Sequence, residues 1–330
     1  MIRTQLTELV GCNAPIQQAP MGTVSSPQLA VAVAEAGGIG SINTLGVSAE
    51  TLRRRLDEML EQTDGVLAVS FLTNDIDTEA VAVAASRARI IDFFWCDPRP
   101  DLVDLAHKGG ALVIWQVGSA AEARDAVRAG ADMVCAQGVE AGGHCRGDSP
   151  LLPLLCEVLD SVDVPVLAAG GIADARGVGA ALAAGASGVR MGTRFIATDE
   201  SGAHPDYVAA ILAAGANSTR ITAAFNDCPL CESSPRARVL VSAIDAVEAL
   251  GDVDVVGMMP SADGEMPVGR RSWIPPTRGM SGHIEAMCMY AGESVALVNS
   301  VLPASDLVRS LADGAAALLK TASSQAATSL

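Results

Sequence analysis

From Pro15 to Phe195 the sequence alternates between short apolar runs of strand length and longer segments whose apolar positions recur at helical spacing. Strand-like runs begin at Pro15, Ile39, Val66, Ile90, Ala111, about Asp132, Val164 and Gly188. Between them lie helical patterns over Pro27 to Ala36, Ser48 to Glu61, Thr78 to Ala88, Pro100 to His107, Ala120 to Ala129 and Ala175 to Ala186. Ser26 and Ser48 stand at N-cap positions, and Pro27 takes the first helical position, where its missing N–H would have had no helical partner. Eight strand–helix units repeating every ~25 residues predict an α/β fold, a closed (β/α)8 TIM barrel. An open doubly wound sheet is the alternative. Its first strand should run into a G-x-G-x-x-G turn, and here it runs into Ala19-Pro20-Met21-Gly22.

Beyond about Asn217 the alternation stops. Thr219 to Phe225 reads as a strand or extended segment, Pro235 to Leu250 as helix, and Val253 to Ile274 as an irregular stretch rich in Gly, Pro and Asp. His283 to Val298 returns to a helical pattern of small residues, Ser305 to Ala322 is amphipathic, and Ser323 to Leu330 reads as a frayed tail. The expected organisation is a barrel over 1–216, a small accessory helical subdomain or lid covering the barrel mouth at 217–282, and C-terminal helices returning to the barrel at 283–330.

Composition narrows the function classes. Half the residues are apolar but only 3% are aromatic, so burial rests on Ala, Val, Leu and Ile, which suits helices packed on parallel strands. With 22 basic against 38 acidic residues the net charge is −16, which opposes nucleic acid and anionic membrane surfaces as partners. The first residues lack an apolar signal core and no run is long and apolar enough to span a bilayer, so a cytoplasmic location is expected. The cysteines are scattered, and reduced thiols are the expectation there. Cys228 and Cys231 have ligand-like spacing but no second pair, so they read as incidental, with a redox pair or surface metal site as the alternative.

The chemistry concentrates between Ala131 and Phe195. Two strands end on glycine turns, Gly170-Gly171 and Gly192-Thr193, and in a barrel such neighbouring turns form a phosphate cradle at the C-terminal mouth. A third strand runs through Gln137 to Glu140, Gly142, Gly143 and His144, which puts a titratable side chain at the same mouth. His144 is therefore the candidate catalytic residue; His107, His204 and His283 read as structural. Glu140 is either a second titratable group or a hydrogen-bond acceptor for the turn, Asp174 a helix cap, Arg176 a solvated charge, and Arg194 a phosphate ligand or the partner of a carboxylate. No serine nucleophile elbow, close carboxylate pair or metal triad emerges, and none of the chemistry calls for a metal. A phosphate cradle with one histidine points to a phosphate-bearing cofactor that carries the hard chemistry.

The segments Pro15 to Met21, Ala36 to Gly40, Gln137 to His144, Ala168 to Asp174, Met191 to Phe195, Pro276 to Arg278 and His283 to Met287 together resemble the nitronate monooxygenase family, formerly called 2-nitropropane dioxygenases. Flavin-dependent enoyl-acyl-carrier-protein reductases and some NAD(P)H:quinone reductases are similar in the same motifs. The resemblance implies FMN, held by Ala19, Pro20, Met21, Gly22, Ser70, Gln137, Gly142, Gly143, Gly170, Gly171, Arg190, Met191, Gly192 and Thr193. Within that set Ala19, Pro20 and Met21 would line the isoalloxazine, and Gly142, Gly171, Gly192 and Thr193 the phosphate. It implies His144 as catalytic histidine, acting on a small nitronate, acid or thioester with O2 as co-substrate.

Four positions depart from the family pattern: Ser70 for Asn, Arg190 for Gln, Cys145 inserted before Arg146-Gly147, and Glu293 for Gln. A carboxylate at 293 would repel a phosphate unless an arginine intervenes. The implied activity is FMN-dependent oxidation of alkyl nitronates or nitroalkanes to a carbonyl compound and nitrite. An FMN-dependent NAD(P)H reductase of an enoyl thioester or quinone is the alternative, and a non-catalytic flavin- or phosphate-binding protein the second. The sequence leaves a homodimer open.

Overall fold

The computed structural model describes residues 2–72, 76–228, 236–261 and 264–328. Among the described residues, eight parallel strands close a barrel in chain order: Ile16–Gln18, Ile39–Asn43, Val66–Leu72, Ile90–Phe94, Leu112–Val117, Met133–Gln137, Val166–Ala169 and Gly188–Met191. The eighth pairs back with the first, Gln17 standing opposite Arg190. The expected helices follow their strands and start at the expected caps. Ser26 accepts from the N–H of Leu29 at 3.0 Å, and Asp174 accepts from those of Arg176 and Gly177.

Small residues let these helices sit directly on the barrel. A Cβ on Gly40, in the second strand, would lie 1.9 Å from the carbonyl oxygen of Ala30 in the preceding helix. The sequence pattern did not suggest the short helix Gln5–Val10, in which Thr4 and Thr7 cap each other's backbone N–H. Its Leu6 closes the lower end of the barrel against Ile39, Ile90, Ile114 and Leu167.

The part after the barrel is more mixed than expected. It contains helices Pro205–Ala213 and Val241–Ala249, and two three-stranded antiparallel sheets. One sheet joins Thr219–Thr222, Ala237–Leu240 and the two-residue strand Gly143–His144; the other joins Val255–Ser261, Gly264–Gly269 and Ser281–Gly282. The helix expected from Pro235 starts only at Val241, because Ala237–Leu240 finds strand partners on both sides. His283 to Val298 forms short 3-10 turns, not a continuous helix. Its backbone groups bond outward instead, Ala291 N–H to Arg238 C=O and Glu293 N–H to Glu140 C=O. The final helix, Ala304–Thr328, runs beyond the expected end and packs on Ala175–Ala183 and Pro27–Glu35. No helix among the described residues is long and apolar enough to cross a membrane.

Gly40→Ala should lower unfolding stability by about 3 kcal/mol, the upper end of the cost of overpacking, because the added methyl overlaps backbone that cannot rotate away. Urea denaturation of the two proteins measures this.

Candidate active site

The carboxyl ends of the barrel strands and the segment after the barrel enclose one cavity of about 1260 Å³, counting the part open to solvent. All fifteen residues expected at the site line it: His144 with Ala19, Pro20, Met21, Gly22, Ser70, Gln137, Gly142, Gly143, Gly170, Gly171, Arg190, Met191, Gly192 and Thr193. The glycines keep the wall free of side chains. A Cβ on Gly192 would project towards Met21 and Ala19, both cavity residues, and Gly143, Gly170 and Gly171 hold φ values of +80°, +106° and +68°, which side chains rarely adopt.

His144 is held by the backbone on one side and by rings on the other. Its two-residue strand pairs with Ala237–Leu240, Gly143 opposite Arg238 and His144 opposite Ala237. Its ring meets Trp95 edge-on at 5.5 Å between centroids and Tyr290 at 5.8 Å. Trp95 itself adopts φ +70°, a costly conformation for a bulky residue. Burial removes water from the imidazolium and lowers the pKa of His144 from 6.5 to about 4, so the ring is neutral at pH 7. Its Nε2 is buried with no hydrogen-bond partner among the described residues, and so is Oε1 of Gln137, whose Nε2 donates to the carbonyl of His144 at 3.0 Å. Two buried, unpaired polar atoms on residues lining one cavity are the mark of a ligand site.

The other singled-out residues divide clearly. Arg190 lines the cavity, but its guanidinium lies 2.9 Å from the carboxylate of Asp92 and also donates to Gln17 and Gln116. Burial raises the pKa of Asp92 and the neighbouring Arg190 opposes that rise. Glu140 accepts the N–H of Leu151 at 2.9 Å with both oxygens, which makes it the acceptor that starts helix Leu151–Leu159. An arginine does attend Glu293: Arg238 lies 3.0 Å from its carboxylate. The Cys145 thiol points at backbone carbonyls of its own loop, and burial pushes its pKa up to about 11.

Arg194 is buried and donates to the carbonyl of Ala197; no carboxylate faces it among the described residues. His107 pairs with Asp132, His204 caps Pro205–Ala213, and His283 pairs with Glu285. Cys231 lies outside the described residues, and no metal-binding cluster occurs among those that are described.

Sequence reasoning missed Phe94, Tyr207, Trp273 and Tyr290 in the cavity wall, and Asp92 beneath it. One signal was available. An acid inside the apolar strand Ile90–Phe94 and an arginine inside Gly188–Met191 are both costly to bury alone, and each needs the other.

A family profile described as nitronate monooxygenase matches residues 3–81 and 66–314. The chain is 36% identical over 229 residues to the (3aS,4S,5R,7aS)-5-hydroxy-7a-methyl-1-oxo-octahydro-1H-indene-4-carboxyl-CoA dehydrogenase of Rhodococcus jostii, a match covering 69% of this chain and 65% of that one, less than two thirds of its length. It is 30% identical over 357 residues to the nitronate monooxygenase of Pseudomonas aeruginosa, covering 94% and 98% of the two chains. The structure of FabK from Thermotoga maritima superposes with a TM-score of 0.82 at 29% identity over 100% of both chains.

The depressed pKa of His144 has a consequence for stability. Between pH about 4 and 6.5 the unfolded chain binds a proton at this site that the folded chain refuses, so stability rises with pH across that window and the penalty is gone above it. His144→Gln should flatten this part of the profile, which urea midpoints measured at pH about 4.5 and about 7 would reveal.

Proposed function

The chain belongs to the nitronate monooxygenase family and is an oxidoreductase, and from that premise we propose that it is an FMN-dependent enzyme oxidising alkyl nitronates or nitroalkanes with O2 to a carbonyl compound and nitrite. The observation that carries this reading is the neutral His144 with its unpaired Nε2, sharing a cavity ringed by glycine turns with the unpaired Oε1 of Gln137.

The residues suit a flavin nucleotide. Gly142, Gly171, Gly192 and Thr193 would hold the phosphate, where the absence of side chains lets backbone approach closely. Gly292, whose N–H donates to Thr193 Oγ1 at 2.9 Å, fixes the orientation of that hydroxyl. Ala19, Pro20 and Met21 would lie along the ring system, with Gln137 offering an acceptor to its polar edge. Bound there, FMN would accept electrons from the substrate and pass them to O2.

The chain's own contribution is positional and protic. His144 Nε2, neutral and dry, has two uses: as acceptor it takes the acidic α-proton of a nitroalkane, and as donor it holds an oxygen of the nitro group. The backbone pairing to Ala237 and the rings of Trp95 and Tyr290 keep the imidazole from rotating away. Such fixed placement is what general-base catalysis needs.

A reductase taking hydride from NAD(P)H is the second reading. It draws on the FabK superposition and on the relative named for a carboxyl-CoA substrate. Anaerobic titration of the flavin-loaded protein separates the two: nitronate should bleach the visible absorbance while NADH and NADPH leave it unchanged, and the reverse result gives the reductase. His144→Ala should lower kcat/KM for a nitroalkane by ~10²-fold or more if the histidine takes the proton. The acidic limb of the wild-type kcat/KM profile should fall near pH 4, where His144 becomes charged, and not near 6.5.

A further inference from the structure

Aromatic residues are scarce in this chain, with three Trp, two Tyr and five Phe, and they are unevenly placed. Both tyrosines, Trp273 and Phe94 line the cavity, and Trp95 stands against His144. None of the five belongs to the set assigned to the cofactor.

The tyrosine hydroxyls are already taken. Tyr207 donates its hydroxyl to the carbonyl of Tyr290, and Tyr290 donates its own to the carbonyl of Trp273 at 2.7 Å. The bonds tie three rings into one wall and leave the cavity ring surface without a free hydroxyl. Aromatic faces of this kind reward burial of a flat apolar body and offer little to a small polar one.

Charge points the same way. Arg190 is the one cation among the described residues lining the cavity, and Asp92, Gln17 and Gln116 hold its guanidinium. A carboxylate placed away from His144 would find no free counter-charge there.

Building on the nitronate reading above, we propose that Trp273, Tyr290, Tyr207 and Phe94 form a specificity wall and that the substrate is a ring-bearing nitro compound without a carboxylate, with its nitro group at His144 and its ring on the wall. The class is aryl- or cycloalkyl-substituted nitromethanes, as opposed to short-chain or acidic nitroalkanes.

The test compares phenylnitromethane, nitroethane and 3-nitropropionate on the FMN-loaded protein. Burying a phenyl ring should favour phenylnitromethane in kcat/KM by about 10-fold or more over either of the others. Trp273→Ala should reduce that preference about 10-fold, mainly through KM, and Trp273→Phe should restore most of it. A preference for nitroethane or 3-nitropropionate in the wild type overturns the proposal, and that comparison needs no variant to fold.

Nitrobenzene has no α-proton and cannot turn over, so its dissociation constant, read by quenching of tryptophan fluorescence, measures recognition apart from reaction. Tight binding that weakens in Trp273→Phe and further in Trp273→Ala supports the wall even if no nitro compound of any size reduces the flavin, a result that would defeat only the nitronate reaction. Absence of nitrobenzene binding in a protein that oxidises nitroethane defeats the wall and leaves the reaction standing.

Discussion

The site depends on a short piece of β-pairing between two distant parts of the chain. Gly143 and His144, in the loop after the sixth barrel strand, run antiparallel to Ala237 and Arg238 from the segment after the barrel. Further along the same edge that strand bonds to the Tyr290 segment, Leu240 N–H to Met289 C=O and Ala291 N–H to Arg238 C=O, while Thr219–Thr222 covers its other edge. One strand therefore sets the positions of the histidine and of a ring that packs against it. Loops at a barrel mouth are ordinarily the mobile part of the fold. Here backbone hydrogen bonds fix them, and side-chain rotamers have correspondingly less to do.

Arg238 concentrates several of these constraints. It donates to the carbonyl of Val139 at 3.0 Å and to Thr219, and it lies beside Glu293. The carboxylate at 293 looks out of place in the sequence beside glycine turns suited to phosphate. Once Arg238 is adjacent, its charge is balanced locally. The Arg190–Asp92 pair solves the same problem inside the barrel, since two ions that could not be buried singly are buried together, with the side-chain oxygens of Gln17 and Gln116 accepting from the guanidinium.

The polar and apolar halves of the cavity have different origins. The barrel contributes glycine turns, amides and backbone, which suit a polar nucleotide, together with the ring of Phe94. The segment after the barrel contributes Trp273, Pro275, Tyr290 and the companion ring of Tyr207, which suit an apolar body. His144 lies where the two meet. Its low pKa follows from that position, where burial, with Trp95 on one part of the chain and Tyr290 on the other packed against it, keeps water from the ring.

The sequence by itself determined the barrel, the order of its strands, most of its helix starts and the residues around the glycine turns. These are local matters: the period of the apolar positions, the serine and aspartate caps, and glycine where φ is positive are all written within a few residues of where they act. Only the tertiary structure decided that Ala237–Leu240 is strand and that residues 283–298 form turns, because those segments complete their hydrogen bonds with partners about 50 to 150 residues away, such as Gly143 for Arg238 and Arg238 for Ala291. It also decided that Asp92 meets Arg190 and that the few aromatic rings gather around His144. Long-range pairing carries no local period; an acid or an arginine inside an apolar strand announces that it needs a partner, but not which one.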